Sequence, residues 1–335
     1  MHRSARAWRG GFTALALAAL LLTGACGASG PRSDAPPPSA DGAFPVTLPH
    51  KYGSTTLDHR PQRVVTVGLT DHDAVLALGV VPVATTEWLV SDYPGAIGPW
   101  AADRLGGAAA PVVLDDQDGI QYERIAALKP DLILALYSDV SESEYATLSK
   151  LAPTVAQPAQ HADYGVPWQE QTRTAGAALG EAPEAERLVG ELEGRLADVR
   201  REHPEFGAAT GLLATTYDGY FVYGRQDPRS RVFAQLGFAL PAGLDEVVGD
   251  RFGVNISRER SDLLDHDVLI WFVGDGGAAL RDDPVYRGLA VSRERRDIVI
   301  DEAGDYGNAF SFSSVLSLPY VLDRLVPQLT DALSR

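Results

Sequence analysis

Residues 64–85, VVTVGLTDHDAVLALGVVPVAT, hold two short apolar runs separated by a helical pattern. The runs at 64–67 and 82–85 are apolar or β-branched, as in parallel strands that are covered on both faces. Residues 73–78 between them predict a helix that ends at Gly79. The stretch therefore predicts a βαβ unit of an open α/β sheet.

The same alternation continues through the first half of the chain. Helical patterns cover 122–128, where Lys129-Pro130 stops the helix, and 142–151. Further strand candidates lie at 112–114, 132–135 and 154–156. In such a sheet, the loops at the carboxyl ends of the strands line a ligand crevice.

A different pattern begins near residue 184. Residues 184–203 contain no proline and repeat apolar side chains at helical spacing, so they predict a helix of about 30 Å that ends before Pro204. A second α/β series follows, with strands at 211–216, 220–223, 267–273 and 298–300, and helices near 228–236, 257–264, 284–290 and 313–326. We interpret the long helix as a connector between lobes; the alternative is one more surface helix.

The predicted fold is α/β, with two Rossmann-like lobes that have parallel sheets and are joined by one long interlobe α-helix. We expect the first lobe at 44–166, the linker with the long helix at 167–204, and the second lobe at 205–335. The chain has 335 residues, which suits two compact units better than one.

The amino terminus predicts export. Three arginines at positions 3, 6 and 9 precede an uncharged, apolar run, which is typical of a signal peptide. The junction at 22–26, LTGAC, resembles a bacterial lipobox, with Thr23 where leucine is commoner, and it ends at the chain's single cysteine, Cys26. We predict a signal peptide at 1–25, lipidation of Cys26 and a flexible tether at 26–43; the alternative is ordinary cleavage beside an incidental cysteine.

Charge and cysteine content exclude several classes of function. The formal net charge is −16, which argues against nucleic-acid binding because phosphate neutralisation needs a basic surface. A single cysteine permits neither a disulfide framework within the chain nor a thiolate zinc site. We expect a monomer with no resident cofactor.

Several segments together resemble one known family. They are RPQRVV at 60–65 with ALGVVPVA at 77–84, YERIAALKPDLI at 122–133, LSKLAPTV at 148–155, QLGF at 235–238, and ISRER at 256–260 running into LLDHD at 263–267. In this order, and behind a lipobox, they are similar to the exported binding proteins of ABC importers for iron siderophores, cobalamin and haem. The second half is most similar to the ferric-siderophore branch of high-GC Gram-positive bacteria.

This resemblance implies a lipid-anchored protein at the outer face of the cytoplasmic membrane. It would hold a ferric siderophore between two lobes and deliver it to an ABC permease dimer. By position, Glu123 and Glu259 are the glutamates that dock the two permease subunits in this family. A simpler interpretation is that each carboxylate offsets a helix dipole, a contribution of about 0.3–1 kcal/mol.

A bulky ferric chelate needs aromatic walls and hydrogen-bond donors aimed at its oxygens. Groups of this kind follow the predicted strands, and for each of them core packing is the competing interpretation. Arg229 beside Asp227 and Arg281 before Asp282 have a further alternative, a solvated ion pair. We predict ligand binding by Thr70, His72, Trp88, Tyr93, Tyr137, Tyr217, Tyr223, Arg225, Arg231, Trp271, Arg281, Asn308 and Phe310, and favour Arg225, Arg231, Trp88 and Tyr223.

His72, between Asp71 and Asp73, also invites a metal interpretation. Three consecutive side chains do not all point one way, so we expect no direct metal ligation, and haem with His72 or a tyrosine as axial ligand is an alternative. An exported α/β enzyme and an envelope protein that has lost transport are further alternatives. The sequence has no G-x-S-x-G, G-x-x-x-x-G-K-[ST] or H-E-x-x-H motif. The chemical class of the siderophore stays open.

Overall fold

Two five-stranded sheets organise the protein. The computed structural model describes residues 42–88, 93–115, 118–217, 219–249 and 251–335. The predicted lipidation site, Cys26, and the predicted signal peptide lie outside these residues, as does nearly all of the tether. No helix in the described ranges combines the length and the apolar character that crossing a membrane would need.

The first sheet is entirely parallel and is preceded by an antiparallel hairpin. The hairpin pairs β1 (Val46–His50) with β2 (Gly53–Leu57). The sheet has the order β5-β4-β3-β6-β7, built from β3 (Val64–Thr66), β4 (Ala84–Thr86), β5 (Val112–Leu114), β6 (Leu132–Ala135) and β7 (Thr154–Ala156). The central strands β3 and β6 are buried throughout, which explains their uninterrupted apolar sequence.

The second sheet is mixed, so the expected parallel pairing holds for three of its strands and not for all five. Its order is β10-β9-β8-β11-β12, built from β8 (Gly211–Thr216), β9 (Tyr220–Tyr223), β10 (Gly253–Ile256), β11 (Val268–Val273) and β12 (Asp297–Asp301). Strands β8, β11 and β12 are parallel, whereas β9 pairs antiparallel with β8 and β10. The three residues between β8 and β9 are enough for a tight reversal but too few for a parallel crossover.

Twelve α-helices are assigned within the described residues. They are α1 (Asp71–Ala77), α2 (Tyr122–Ala127), α3 (Glu142–Leu148), α4 (Trp168–Leu179), α5 (Ala182–Glu202), α6 (Pro228–Gln235), α7 (Leu244–Val248), α8 (Ala278–Asp282), α9 (Pro284–Gly288), α10 (Ala290–Arg293), α11 (Asp305–Phe312) and α12 (Ser317–Leu333). Short 3₁₀ turns cover Pro94–Ala96, Ala102–Leu105, Pro204–Ala208, Arg258–Leu264 and Asp275–Gly277. The fold is therefore α/β with two lobes, as expected.

The long helix predicted at 184–203 is α5, and it lies between the two sheets in the chain. Its buried side chains, among them Leu188, Leu192 and Leu196, belong to one apolar cluster that also contains Leu134 of β6 and Ile270 of β11. A neighbouring helix, α4, packs along α5. The two lobes therefore share a continuous hydrophobic core beside the connector.

Candidate functional site

A cavity of about 380 Å³ takes its walls from both halves of the chain. Its volume is within the range of about 300–1,000 Å³ that is typical of small-molecule sites. Trp88, just after β4, and Tyr137, just after β6, supply the first-lobe wall. The second lobe supplies Tyr223, Asp227, Pro228, Arg229, Phe252, Glu302, Ala303, Asn308 and Ser311. The cavity lies at the carboxyl ends of the first-lobe strands, as expected for an α/β ligand site.

Arg229 is held rigidly in the second-lobe wall. Its Nε and Nη2 atoms donate to the Asp227 carboxylate at 3.0 and 2.7 Å. The guanidinium carbon lies 3.9 Å from the ring centroid of Tyr223 and 4.6 Å from that of Phe272, which are cation–π distances. The Arg229 and Asp227 side chains are only 10% and 0% exposed. The pair is buried, so the interpretation of Asp227–Arg229 as a solvated ion pair was wrong.

The start of α6 explains how Asp227 is positioned. Asp227 is the N-cap residue, and its carboxylate accepts from the backbone N–H groups of Arg229 and Ser230. Pro228 occupies the first helical position, where the absence of an N–H has no cost. Asp-Pro is a helix-start signal, so the sequence could have placed Asp227 at the start of a helix, although not at the cavity.

The electrostatics of the cavity follow from burial. Burial opposes the charge on Arg229, but Asp227 and Tyr223 together more than offset this and raise the pKa of the guanidinium. Burial raises the pKa of the Tyr223 hydroxyl despite the opposing effect of Arg229, and burial with Asp227 raises that of Tyr137. Both phenols are therefore neutral near pH 7, and they act as hydrogen-bonding groups.

Aromatic rings form the remaining walls. The Trp88 ring lies 6.0 Å from that of Tyr137 and 5.2 Å from that of Phe312. On the other side, the Tyr223 ring meets Phe252 edge to face at 5.9 Å. The described residues contain no group of three His, Cys, Asp or Glu side chains that could hold a metal ion. The cavity is suited to a ligand with apolar surface and hydrogen-bond acceptors.

Two other cavities are each lined by a smaller part of the chain. One of about 250 Å³ is lined by first-lobe residues, among them Val67, Asp139 and Tyr164. An open groove of about 620 Å³ runs between α4, α5 and α6. Of these three cavities, the one with Arg229 takes walls from both sheets, and we therefore treat it as the candidate site.

Comparison with known proteins agrees with this architecture. Residues 64–301 match the family described as periplasmic binding protein. The chain belongs to this family. A periplasmic solute binding protein from Mycobacterium smegmatis is 35% identical, with a TM-score of 0.75 over 86% of this chain and 98% of that one.

Two further relatives carry more specific names. The structure of PiaA from Streptococcus pneumoniae in complex with ferrichrome is 29% identical, with a TM-score of 0.76 over 86% of this chain and 98% of that one. A Bacillus subtilis protein named as an ABC transporter substrate-binding lipoprotein is 27% identical over 84% of this chain and 87% of its own.

Several predicted ligand-binding residues lie at the cavity of this periplasmic binding protein. Trp88, Tyr137, Tyr223 and Asn308 line it. Tyr93 adjoins it, because its hydroxyl accepts a 3.1 Å hydrogen bond from the Asn308 amide. The sequence prediction missed Asp227, Phe252 and Glu302 as lining residues, and it weighed Arg229 as a candidate but left it out of the final list.

Four predicted ligand-binding residues are buried in the structure and do not line the cavity. Trp271 is 0% exposed because β11 is covered on both faces, and its ring packs against Tyr220 and Tyr286. Phe310 is also 0% exposed and packs on Phe272. Thr70 is 1% exposed, and its hydroxyl bonds to Gln171 at 3.0 Å. His72 is 0% exposed, packs on Phe312 and does not line the cavity.

The remaining predicted residues lie outside the cavity. Arg225 forms an exposed ion pair with Asp245, and its Nε lies 2.7 Å from Oδ1. Arg231 donates to the Gly165 carbonyl at 2.6 Å and to Gln226 at 2.7 Å. Both arginines line the open groove. Arg281 donates to the carbonyl of Gly276 in the preceding 3₁₀ turn. Tyr217 is 71% exposed at the end of the second-lobe sheet.

Glu123 and Glu259 are exposed at the start of a helical segment in each lobe. Glu123 is in the first turn of α2, and Glu259 is in the first turn of the 3₁₀ segment Arg258–Leu264. In the described parts of the chain, neither carboxylate forms an ion pair. Both are therefore accessible to a partner protein.

Proposed function

We propose that this periplasmic binding protein captures a ferric siderophore in the interlobe cavity and delivers it unaltered to an ABC importer. The observation that carries the proposal is the cavity itself, with aromatic walls from both lobes and Arg229 fixed over Tyr223 and Phe272. A rigid planar cation and neutral phenols suit the chelating oxygens, while the rings suit the apolar arms.

The names of relatives support the same ligand class. The PiaA relative is described in complex with ferrichrome, an iron chelate, at 29% identity. Because the cavity lacks a metal-holding cluster among the described residues, iron would enter with its chelator and stay bound to it. No resident cofactor is part of the proposal.

We propose attachment to the outer face of the cytoplasmic membrane through a lipid on Cys26, after removal of residues 1–25. The lipoprotein name of the Bacillus subtilis relative supports this anchor. Two acyl chains or more hold a protein stably on a bilayer, and a tether up to residue 43 would leave the lobes free to meet a permease.

The permease dimer is the proposed protein partner, with Glu123 and Glu259 as the docking carboxylates. Their exposure and their placement one per lobe support this assignment. A dimeric partner presents the same surface twice, so one acidic group on each lobe fits its symmetry. The protein itself is proposed to act as a monomer.

The alternatives are a binding protein for haem or cobalamin, and an exported enzyme. No described lining residue is a histidine or lysine that could activate Ser311 as a nucleophile, which weighs against an exported enzyme.

The test is a fluorescence titration of the full chain, purified in detergent, with ferric hydroxamates, ferric catecholates, haem and cobalamin. The five tryptophans include Trp88 in the cavity wall, so a ferric chelate should quench emission saturably. Recovery of the intact chelate after binding would support a binding protein. Quenching by haem or cobalamin alone, or breakdown of the chelate, would overturn the proposal.

A further inference from the structure

The charge of the cavity wall restricts the ligand further. Among the described lining residues, Arg229 is the one basic side chain, whereas Asp227 and Glu302 are both carboxylates. Asp227 already binds Arg229 through two hydrogen bonds, so the only cation of the wall is neutralised before any ligand arrives. Glu302 is exposed and leaves the wall with a net negative charge.

Residues just behind the wall do not reverse this sign. Arg231 is near enough to Tyr137 to affect its titration, but the donors of Arg231 are directed to the Gly165 carbonyl and Gln226. On the opposite side, Asp305 accepts the Tyr93 hydroxyl at 2.6 Å and adds a further carboxylate. Including this outer layer, two cations face three carboxylates.

Neither the undescribed positions of the folded part nor the lysines add a basic group to the cavity. The positions after residue 41 that the structure does not describe are 89–92, 116–117, 218 and 250, and they hold only Leu, Val, Ser, Asp and Gln. The three lysines of the chain, Lys51, Lys129 and Lys150, do not line the cavity. Sequence and structure therefore agree that the cavity lacks an excess of positive charge.

From this charge distribution we infer that the ligand is an electrically neutral or cationic ferric chelate, of the trihydroxamate type, and not an anionic catecholate or carboxylate chelate. This inference rests on the proposed function and narrows it. A strongly anionic chelate would lose its hydration and meet repulsion from Glu302 and Asp305, with no unpaired cation among the described lining residues to compensate. Binding of a neutral hydroxamate chelate requires only hydrogen bonds and apolar contact.

Glu302 gives the inference a second consequence. An exposed carboxylate at the edge of the cavity attracts a ligand that carries a protonated amine on an arm and repels a ligand that carries negative charge. Removing this carboxylate should therefore change the affinities for cationic and anionic chelates in opposite directions. A role in packing would change both in the same direction.

The test is calorimetric titration of the full chain in detergent with four ferric chelates. Two are hydroxamates: ferrichrome is neutral, and ferrioxamine B carries a positive amine. The other two, ferric enterobactin and ferric dicitrate, are anionic. We expect at least one hydroxamate to bind at least about 100-fold more tightly than either anionic chelate. In Glu302→Gln, the Kd of ferrioxamine B should rise and that of the best anionic chelate should fall, each by about 3-fold to 10-fold at low salt.

Glu191→Gln is the matched control, because Glu191 is an exposed carboxylate on α5 outside the three cavities described above. Tighter binding of ferric enterobactin or dicitrate than of both hydroxamates would overturn the charge inference but leave siderophore capture standing. Equal changes in Glu302→Gln for all probes would also overturn it. Binding of none of the four chelates would count against the proposed function itself.

Discussion

The hydroxyl of Tyr93 lies 2.6 Å from Oδ1 of Asp305, a residue 212 positions later in the chain, and joins the two lobes beside the cavity. The same hydroxyl accepts from Asn308 in the cavity wall. Burial and Asp305 raise the pKa of Tyr93 to about 12, so the hydroxyl keeps its proton throughout the neutral range. This bond therefore fixes the separation of the walls near the ligand.

Tyr93→Phe should loosen the edge of the cavity. Loss of one hydrogen bond should lower the free energy of unfolding by about 1 kcal/mol, and ligand dissociation should become several-fold faster. Tyr52→Phe is the matched control, because the Tyr52 hydroxyl donates a 2.6 Å bond to Val140 within the first lobe. Stopped-flow fluorescence measures the rate of ligand dissociation in each variant. Equal dissociation rates in both variants would contradict a role for the Tyr93–Asp305 bond at the site.

Arg229 should be required for ligand affinity and Arg225 should not. Removing Arg229 alone would leave Asp227 as a buried, unpaired charge and cost about 3–5 kcal/mol of stability, so the test uses Asp227→Asn with Arg229→Gln. We expect this pair to weaken siderophore binding by about 10-fold to 100-fold, through lost charge-assisted hydrogen bonds and cation–π contact.

The comparison variant is Arg225→Gln, which removes a guanidinium that pairs with Asp245 in solvent, outside the cavity. Its Kd, measured by fluorescence titration, should stay within about 2-fold of the parent value. A larger loss in Arg225→Gln than in the buried pair would show that the open groove holds the ligand.

His72 should reduce stability in acid. Both ring nitrogens are buried without hydrogen-bond partners, and burial lowers the pKa of His72 to about 4 from 6.5. Between these values the unfolded chain binds a proton that the folded chain does not, so stability falls as pH drops from about 6.5 to about 4. Burial raises the pKa of Asp71 and of Asp73 to about 6, and these two groups act in the opposite direction.

In His72→Leu the loss of folding stability that His72 causes at low pH should disappear. Relative to the parent, the variant should gain about 2 kcal/mol between pH 7.5 and pH 5, because the leucine takes up no proton in either state. Denaturant unfolding at both pH values measures the difference. The packing effect of leucine is common to both conditions and cancels, so an unchanged pH dependence would contradict the burial argument.

Glu123→Arg combined with Glu259→Arg should stop uptake without altering ligand capture. Both side chains are exposed and lie outside the cavity lining, so charge reversal should leave the Kd unchanged while it repels the permease. Cellular uptake of the iron-55 chelate checks the predicted loss of transport, and titration of the purified variant checks the unchanged Kd. Glu191→Arg on α5 is the control and should transport normally. Loss of ligand affinity in the double variant would count against docking.

Many strands of both sheets could be predicted from the sequence because buried strands are uninterrupted apolar runs. Strands β6, β8 and β9 were predicted with the bounds that the structure shows. Helix α4 was not predicted, because Gly176 interrupts its pattern. The structure explains that glycine: a Cβ at residue 176 would lie 2.4 Å from the Cβ of Ala185, so α4 and α5 can pack this closely only with glycine there.

The cavity was harder to predict because the direction of a side chain is a tertiary property. Trp271 and Tyr223 both lie in second-lobe strands, yet one is enclosed by Tyr220 and Tyr286 and the other faces the ligand space. Arg225 and Arg229 each have an aspartate partner, and only the packing of α6 shows that one pair is buried. The nearness of Arg229 to Asp227 could be read from the sequence, whereas the Arg225–Asp245 pair and the solvent exposure of both pairs could not.

The apolar cluster beneath the cavity joins residues from Phe44 to Ala332 across both sheets and the helix between them. Neither half could be expressed alone without exposing this common interior to water. We therefore expect calorimetric melting of the protein to show one cooperative transition, and a chain cut at Gly180 to aggregate. Separate transitions for the two halves would show that each holds a self-sufficient core.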